Sequence, residues 1–158
     1  ANNAFAAVTG RAGTAFRVAT AGSLRADGVA APEIALAADG SITQGAPLDT
    51  SLLSASAGGS VNLPDADNLI RALAAIRAPG GLTIATRTDL LLTQPIAVPA
   101  AALTARGDLT QMAGAPLAAG TLRLSAGGAI TLADGANSIT RLLGAETGGD
   151  LRLVTGTA

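Results

Sequence analysis

Two nearly identical phrases place the strongest constraint on the fold of this chain. "GSITQGAPL" occupies residues 40–48, and "GDLTQMAGAPL" occupies residues 107–117 with two additional residues, Met112 and Ala113. When the sequence is aligned with itself, matching residues before this insertion are separated by one constant number of residues. After the insertion the separation is two residues longer, which is the length of the inserted pair. The matched pairs include Pro32 with Pro99, Leu36 with Leu103, Gly40 with Gly107, Gln44 with Gln111, Leu48 with Leu117, Leu63 with Leu132, Asp65 with Asp134, Asn68 with Asn137 and Leu82 with Leu151. A unit of about 67 residues is therefore repeated.

The repeat divides a single segment, residues 1–158, into a partial unit 1–28, a unit 29–95 and a unit 96–158. The partial unit is recognised because Asn2 precedes Asn68 by close to one repeat length. In this register both chain ends fall inside units, and neither carries the polar, atypical sequence of a capping coil. We expect the chain to be a fragment that continues into neighbouring coils, either within a longer polypeptide or by end-to-end stacking of identical segments.

A shorter rhythm lies inside each unit. Glycine recurs at 40, 58/59, 80/81, 107, 127/128 and 148/149, a mean step of about 22 residues. The segments between, such as "EIALAADGSIT" and "GTLRLSAGGAITL", alternate apolar with small or polar residues, the period of a half-buried strand. A coil of this length cannot bury its apolar side alone, whereas stacked coils can. The pattern predicts an all-β parallel solenoid of about seven coils, three to each repeat unit.

The composition suits a narrow interior. Apolar residues make up 49% of the chain, but they include two Phe and no Trp or Tyr. We therefore predict inward ladders of small aliphatic side chains, and six matched leucines should point inward: Leu36, Leu103, Leu63, Leu132, Leu82 and Leu151. Members of a matched pair should lie in equivalent surroundings three coils apart, and the inserted Met112 and Ala113 should bulge from a turn.

One stretch has a competing interpretation. "PDADNLIRALAAIRAP", residues 64–79, has the pattern of an amphipathic helix with Asp65 or Asp67 as its N-cap and Pro79 as its stop. Its counterpart "LADGANSITRLLGAETG" contains Gly144 and β-branched residues and is a poor helix. Because repeat units should fold alike, we predict strand and turn in both.

The residue inventory excludes most catalytic chemistry. The chain contains no His, Cys, Lys or Tyr. This excludes His-based triads, thiolate nucleophiles and Lys Schiff bases. The best enzymatic alternative is a carbohydrate-active β-helix that uses Asp65, Asp67 and Asp89 as acid/base groups or calcium ligands, with Arg87 beside them. Sugar clefts usually offer aromatic platforms, which this chain lacks. Solvated turn charges are the favoured interpretation, so we expect no catalytic, cofactor or metal site.

The remaining polar residues have structural interpretations. Asn68 and Asn137 should occupy turns, where Asn tolerates left-handed backbone and bonds neighbouring amides. Gln44 and Gln111 should bond along the stack or face solvent. Seven arginines between apolar neighbours should point outward for solubility: Arg71, Arg77, Arg87, Arg106, Arg123, Arg141 and Arg152. A net charge of -1 with interspersed signs gives no footprint for nucleic acid, and no apolar run is long enough for a membrane span.

The unit "GDLTQMAGAPLAAGTLRLSAGGAITLADGANSITRL" followed by "GGDLRLVT" resembles the repeats of filamentous-haemagglutinin-like exoproteins of Gram-negative bacteria. The resemblance covers about residues 24–158. It implies a right-handed parallel β-helix, export by two-partner secretion and a role on the outer surface in adhesion or matrix. It brings no catalytic residues. The N-terminal secretion domain of such proteins is not recognisable here.

Three classes of function follow from these expectations. The favoured one is a structural shaft of a secreted or cell-surface adhesin or filament, which provides length and display and contacts a host or matrix surface. The carbohydrate-active β-helix is the alternative, and other binding modules such as phage-fibre or capping segments form a third group. A face with convergent carboxylates would favour the enzyme.

Overall fold

A computed structural model describes residues 4–156 as eighteen strands, with no helix among them. Every strand pairing is parallel and belongs to one continuous sheet system, as coils stacked on one another require. The strands are β1 Ala7–Arg11, β2 Ala15–Thr20, β3 Leu24–Ala30, β4 Glu33–Ala38, β5 Ile42–Ala46, β6 Asp49–Thr50, β7 Leu52–Ala57, β8 Val61–Leu63, β9 Leu69–Ile70, β10 Ala72–Arg77, β11 Leu82–Thr86, β12 Leu90–Leu92, β13 Ile96–Ala105, β14 Leu109–Gln111, β15 Leu117–Ala126, β16 Ile130–Leu132, β17 Ser138–Thr147 and β18 Leu151–Leu153.

The coils are shorter and more numerous than the glycine rhythm predicts. The parallel β-solenoid has about eight turns, about 19 residues apart, where the sequence predicted about seven longer coils. Backbone pairing joins Ile42 to Val61 and Leu103 to Leu124, so the local spacing varies along the stack. The fold class is confirmed, and the coil length is corrected.

The interior consists of ladders of aliphatic side chains in register. Leu63, Ile84, Leu103 and Leu124 stack directly on one another in four successive coils, and each is almost fully buried. Short strands such as β8 and β16 show the buried–exposed–buried or buried–intermediate–buried alternation that the sequence period predicts. Like side chains repeat at the strand spacing of about 4.8 Å, so one packing solution serves every coil.

The sequence predicted that one repeat unit corresponds to three whole coils. The structure shows that it does not. Gln111 lies in the backbone column of Leu92, Leu73 and Leu53. Gln44 pairs instead with Ala26 in a different column. Each element of the second unit therefore has its counterpart on another side of the solenoid: β5 with β14, β8 with β16, β9 and β10 with β17, and β11 with β18.

This change of side explains why the coil length was overestimated. Gly81 lies against Ala100, whereas Gly107 lies over Asp89, on a different corner of the coil. The step from Gly81 to Gly107 therefore runs from one corner to a different one. This step raises the mean spacing between glycines. Some corners are built by residues other than glycine, such as Thr88 and Asp89. The glycine spacing does not register these corners.

Five of the six matched leucines are buried as predicted. Leu151 is the exception, with 46% of its surface exposed. It continues the column of Leu90, Leu109 and Ile130, all of which are buried. Leu151 therefore occupies an interior column, and it is exposed because among the described residues its strand, β18, pairs only with β16.

Two local expectations are met. Residues 64–79 form β9, β10 and turns, with the hydrogen bond from Asn68 N to Asp65 O closing the first turn. The inserted Met112 is half-exposed in a turn closed by the hydrogen bond from Ala115 N to Met112 O. Gly114, at φ +78°, adopts the left-handed backbone that lets this loop return to register.

Candidate functional site

The most elaborate polar cluster joins Gln44 to Asn68 in the next coil. We call it the first Gln–Asn network. Gln44 Nε2 donates to Asn68 Oδ1 and to Ala46 O, while Gln44 Oε1 accepts from Asp65 N and Asn68 Nδ2. Asn68 Oδ1 also accepts from Leu48 N at 2.8 Å. Asn68 has no exposed surface and its bond with Leu48 N is buried, whereas the bonds of Gln44 are partly buried.

The second Gln–Asn network repeats the first on another side of the solenoid. Gln111 Nε2 donates to Asn137 Oδ1 and to Ala115 O, and Gln111 Oε1 accepts from Asp134 N and Asn137 Nδ2. Leu117 N donates to Asn137 Oδ1 at 2.7 Å. The bonds are equivalent to those of the first network although Met112 and Ala113 interrupt the phrase between Gln111 and Ala115. The repeated phrase thus encodes a repeated polar connection between coils.

Each buried Asn also links its coil to the strand that follows. Asn68 Nδ2 donates to Ala85 O at 3.0 Å, and Asn137 Nδ2 donates to Val154 O at 3.0 Å. The amides that bond these Asn side chains, Leu48 N and Leu117 N, belong to adjacent coils and are not the sequence neighbours that the turn prediction implies. The predicted left-handed backbone is absent, because no residue other than glycine has positive φ in the range that the structure describes. A buried polar group needs a hydrogen-bond partner, and the buried Asn amides find theirs in the corners of adjacent coils. These hydrogen bonds therefore join the corners.

The partnership of each Gln with an Asn was not predicted from the sequence. The two members are separated by 24 residues in the first network and by 26 in the second, and the difference equals the two-residue insertion. This shared spacing was the available signal. Coil length alone does not reveal the pair, because the register of Ile42 with Val61 puts Leu63 above Gln44, and Asn68 is brought back by the turn that the hydrogen bond from Asn68 N to Asp65 O closes.

The carboxylates proposed for the enzymatic alternative have separate structural contacts. Asp65 Oδ1 accepts from Asp67 N at 2.9 Å and shapes its own turn. Asp89 Oδ1 accepts from Asp108 N at 2.8 Å in the next coil. Asp67 is exposed and lies 4.0 Å from Arg106 Nη2. Within residues 4–156 no three acidic side chains form a group that could hold a metal ion. The geometry therefore does not favour the carbohydrate-active alternative.

Side-chain ladders also run along the corners. Ser41 N donates to Ser23 Oγ, and Ser60 N donates to Ser41 Oγ. On the other corner Ala129 N donates to Asp108 Oδ1 at 2.8 Å, in the same way that Asp108 N donates to Asp89. Glycine precedes the residues that donate in these ladders because a Cβ at Gly107 would lie 1.9 Å from Asp89 Oδ1. These hydroxyl and carboxylate groups therefore bind backbone amides of the stack.

The surface offers open grooves and dispersed charge. One groove of about 500 Å³ lies between Arg11, Asp49 and Arg71, and Arg71 is 3.4 Å from Asp49. Another, of about 410 Å³, is lined mainly by Ala and Ser side chains of β2, β4, β7 and β10, together with Arg17, Val18 and Leu36. The seven arginines predicted to point outward are all exposed. The hydrogen bond with Asp27, followed by the charge of that carboxylate, raises the pKa of Arg25.

The stacked parallel coils and the repeated networks define the class of this molecule, a β-solenoid repeat protein. Residues 79–146, a window about one repeat long, match the model of a family described as "Repeats of unknown function (DUF5649)". No curated protein and no solved structure matches the chain. A search of the described residues finds no helix long and apolar enough to cross a membrane.

Proposed function

We propose that this chain is a noncatalytic shaft segment of a secreted or cell-surface adhesin or filament of Gram-negative bacteria, providing length and display. The observation that carries the proposal is the use of the polar side chains. The buried amides of Asn68 and Asn137, and the carboxylates of Asp89 and Asp108, all bind backbone groups of adjacent coils. A chain whose polar groups mainly join one coil to the next is built for axial continuity.

The rest of the surface supports the same proposal. Outward positions carry small residues and well-separated arginines, a surface that keeps a shaft soluble. The resemblance of the repeat to filamentous-haemagglutinin-like exoproteins adds the expectation of two-partner secretion and of contact with a host or matrix surface. Adhesion itself then belongs to whatever the shaft displays, and the shaft sets the distance from the cell.

The experiment is a comparison of intact and permeabilised cells of the producing organism with an antibody against residues 4–156. A surface shaft predicts equal labelling of both, with an outer-membrane protein and a cytosolic protein as controls. Labelling that requires permeabilisation would overturn the surface assignment. Purified chain is also incubated with uronate polysaccharides with and without calcium, and release of reducing ends by wild type but not by Asp89→Asn would overturn the noncatalytic assignment.

A further inference from the structure

The C-terminal end of the solenoid exposes side chains whose repeat counterparts are buried. Leu142 is 43% exposed and Leu151 is 46% exposed, whereas their counterparts Leu73 and Leu82, one repeat unit earlier, are 0% and 2% exposed. We define the C-terminal coil surface as the outer edges of β17 and β18 with Leu142, Leu143 and Leu151. It is the largest group of exposed apolar side chains among the described residues.

The counterparts are buried by a known segment. Leu73 pairs with Leu92 of β12, Ile76 pairs with Ile96 of β13, and Leu82 pairs with Ala101 of β13. Strands β10 and β11 are therefore covered on both sides. In contrast, β17 pairs only with β15, and β18 pairs only with β16, in the part of the chain that the structure describes.

The two surfaces also share their backbone irregularity. In β10 the register against β7 shifts by one residue between Leu73 and Ile76. In β17 the register against β15 shifts at the equivalent place, leaving Leu143 as the extra residue. The second Gln–Asn network lies beneath β17 and β18 just as the first lies beneath β10 and β11. The coil formed by β17 and β18 is thus built to the plan of an internal coil.

We infer that the C-terminal coil surface docks a further solenoid coil with the residue pattern of residues 90–105, which adds parallel strands to β17 and β18. Leucine at the position of Leu92 would lie over Leu142, isoleucine at the position of Ile96 would lie over Ala145, and the unpaired edge groups would gain partners. Docking of a further coil would extend the proposed shaft, and its biological purpose rests on that proposed function. The experiment that tests it measures docking alone.

The test appends a copy of residues 90–107 directly to Ala158, because Ala158 is the repeat counterpart of Asp89. Attachment raises the effective concentration of the added coil and offsets its ordering cost. Hydrogen exchange of the β17 and β18 amides is expected to slow at least about tenfold. A matched control carries serine in the appended copy at the positions of Leu90, Leu92 and Ile96, and it should leave exchange unchanged.

Three results would overturn the inference. The first is no protection in the extended chain, and the second is equal protection by the serine control. The third is protection of β17 and β18 in the unextended chain that rises with its concentration, since the occupant would then be a second copy. Cell-surface labelling is a separate measurement, so a failure of docking and a failure of the shaft proposal are distinguishable.

Discussion

At the scale of single residues, a few side chains account for most of the specificity of this stack. Aliphatic ladders such as Leu63, Ile84 and Leu103 supply burial, but one ladder resembles another and does little to select a register. The buried amides of Asn68 and Asn137 are different because each must meet particular donors and acceptors. A coil displaced by one position would leave those groups unbonded, so the networks favour a single alignment.

Replacing Asn68 by Ala should cost about 2–4 kcal/mol, since the buried Leu48 N and Ala85 O would both lose their partner. Urea denaturation measures the change. Asn62→Ala is the matched control, because Asn62 is exposed on β8, and it should stay within about 0.5 kcal/mol. Similar midpoints for the two variants would contradict a structural role for the first Gln–Asn network.

Introducing a buried charge tests whether an aliphatic ladder lies in the interior. Leu103→Asp places an unpaired carboxylate between Ile84 and Leu124, and the melting temperature should fall by about 10 °C or more. Leu151→Asp introduces the same charge at a position that is already half-exposed, and it should change the melting temperature by about 2 °C or less. An unchanged melting temperature for Leu103→Asp would show that its column is not interior.

At the scale of elements, the corners decide how closely strands of successive coils approach. A Cβ at Gly127 would lie 2.1 Å from Arg106 O, and one at Gly58 would lie 2.0 Å from Asp39 O. Backbone from the preceding coil occupies the space that a side chain would need. Glycine at these corners is therefore a packing requirement between elements, and it explains why the glycine rhythm was visible in the sequence.

Gly127→Ala should destabilise the chain by about 1–3 kcal/mol, because the backbone of one coil must move. Gly13→Ala is the control, since nothing lies within 4 Å of its added Cβ and its φ is not left-handed. That variant should be neutral or slightly stabilising through the unfolded state. Thermal unfolding compares them, and equal melting temperatures would refute the corner model.

Strand identity, parallel stacking and five of the six inward leucines could be predicted from the sequence, because period-2 alternation and the repeat express burial directly. The number and length of the coils could not. Glycine marks one corner up to Gly81 and another from Gly107, so counting glycines mixes two corners. The partnership of Gln44 with Asn68 was hidden for another reason, since a turn closed by the hydrogen bond from Asn68 N to Asp65 O brings Asn68 back to Gln44. The counterpart position Asn2 lies outside the described residues.

At the scale of the whole molecule, the sequence repeat and the coil have different periods. Copies of the phrase fall on different sides of the solenoid, as the separate columns of Gln44 and Gln111 show. Successive units therefore present their loops in different directions around the axis. A solenoid built this way distributes its polar networks around its circumference, so that no single side carries all of them.

The two periods make different predictions for an engineered elongation. Inserting a second copy of residues 68–136 after Ala136 preserves the sequence repeat, because Asn68 and Asn137 are counterparts and each Gln meets its Asn. About three and a half further coils should form, lengthening the particle by about 17 Å at about 4.8 Å per coil. Small-angle X-ray scattering measures the maximum dimension, and circular dichroism reports the strand content.

The control inserts residues 76–136 at the same point. Ala97, Ala118 and Ser138 stack on one another, and this shorter copy continues that stack by whole coils, but it places Ile76 where Asn137 would follow. The donors Leu117 N and Gln111 Nε2 would then face an aliphatic side chain in the inserted junction. We expect this variant to unfold at lower temperature than the longer insertion. If the shorter copy were the more stable of the two, strand stacking alone would set the register, and the Gln–Asn networks would not be what determines the length of the sequence repeat.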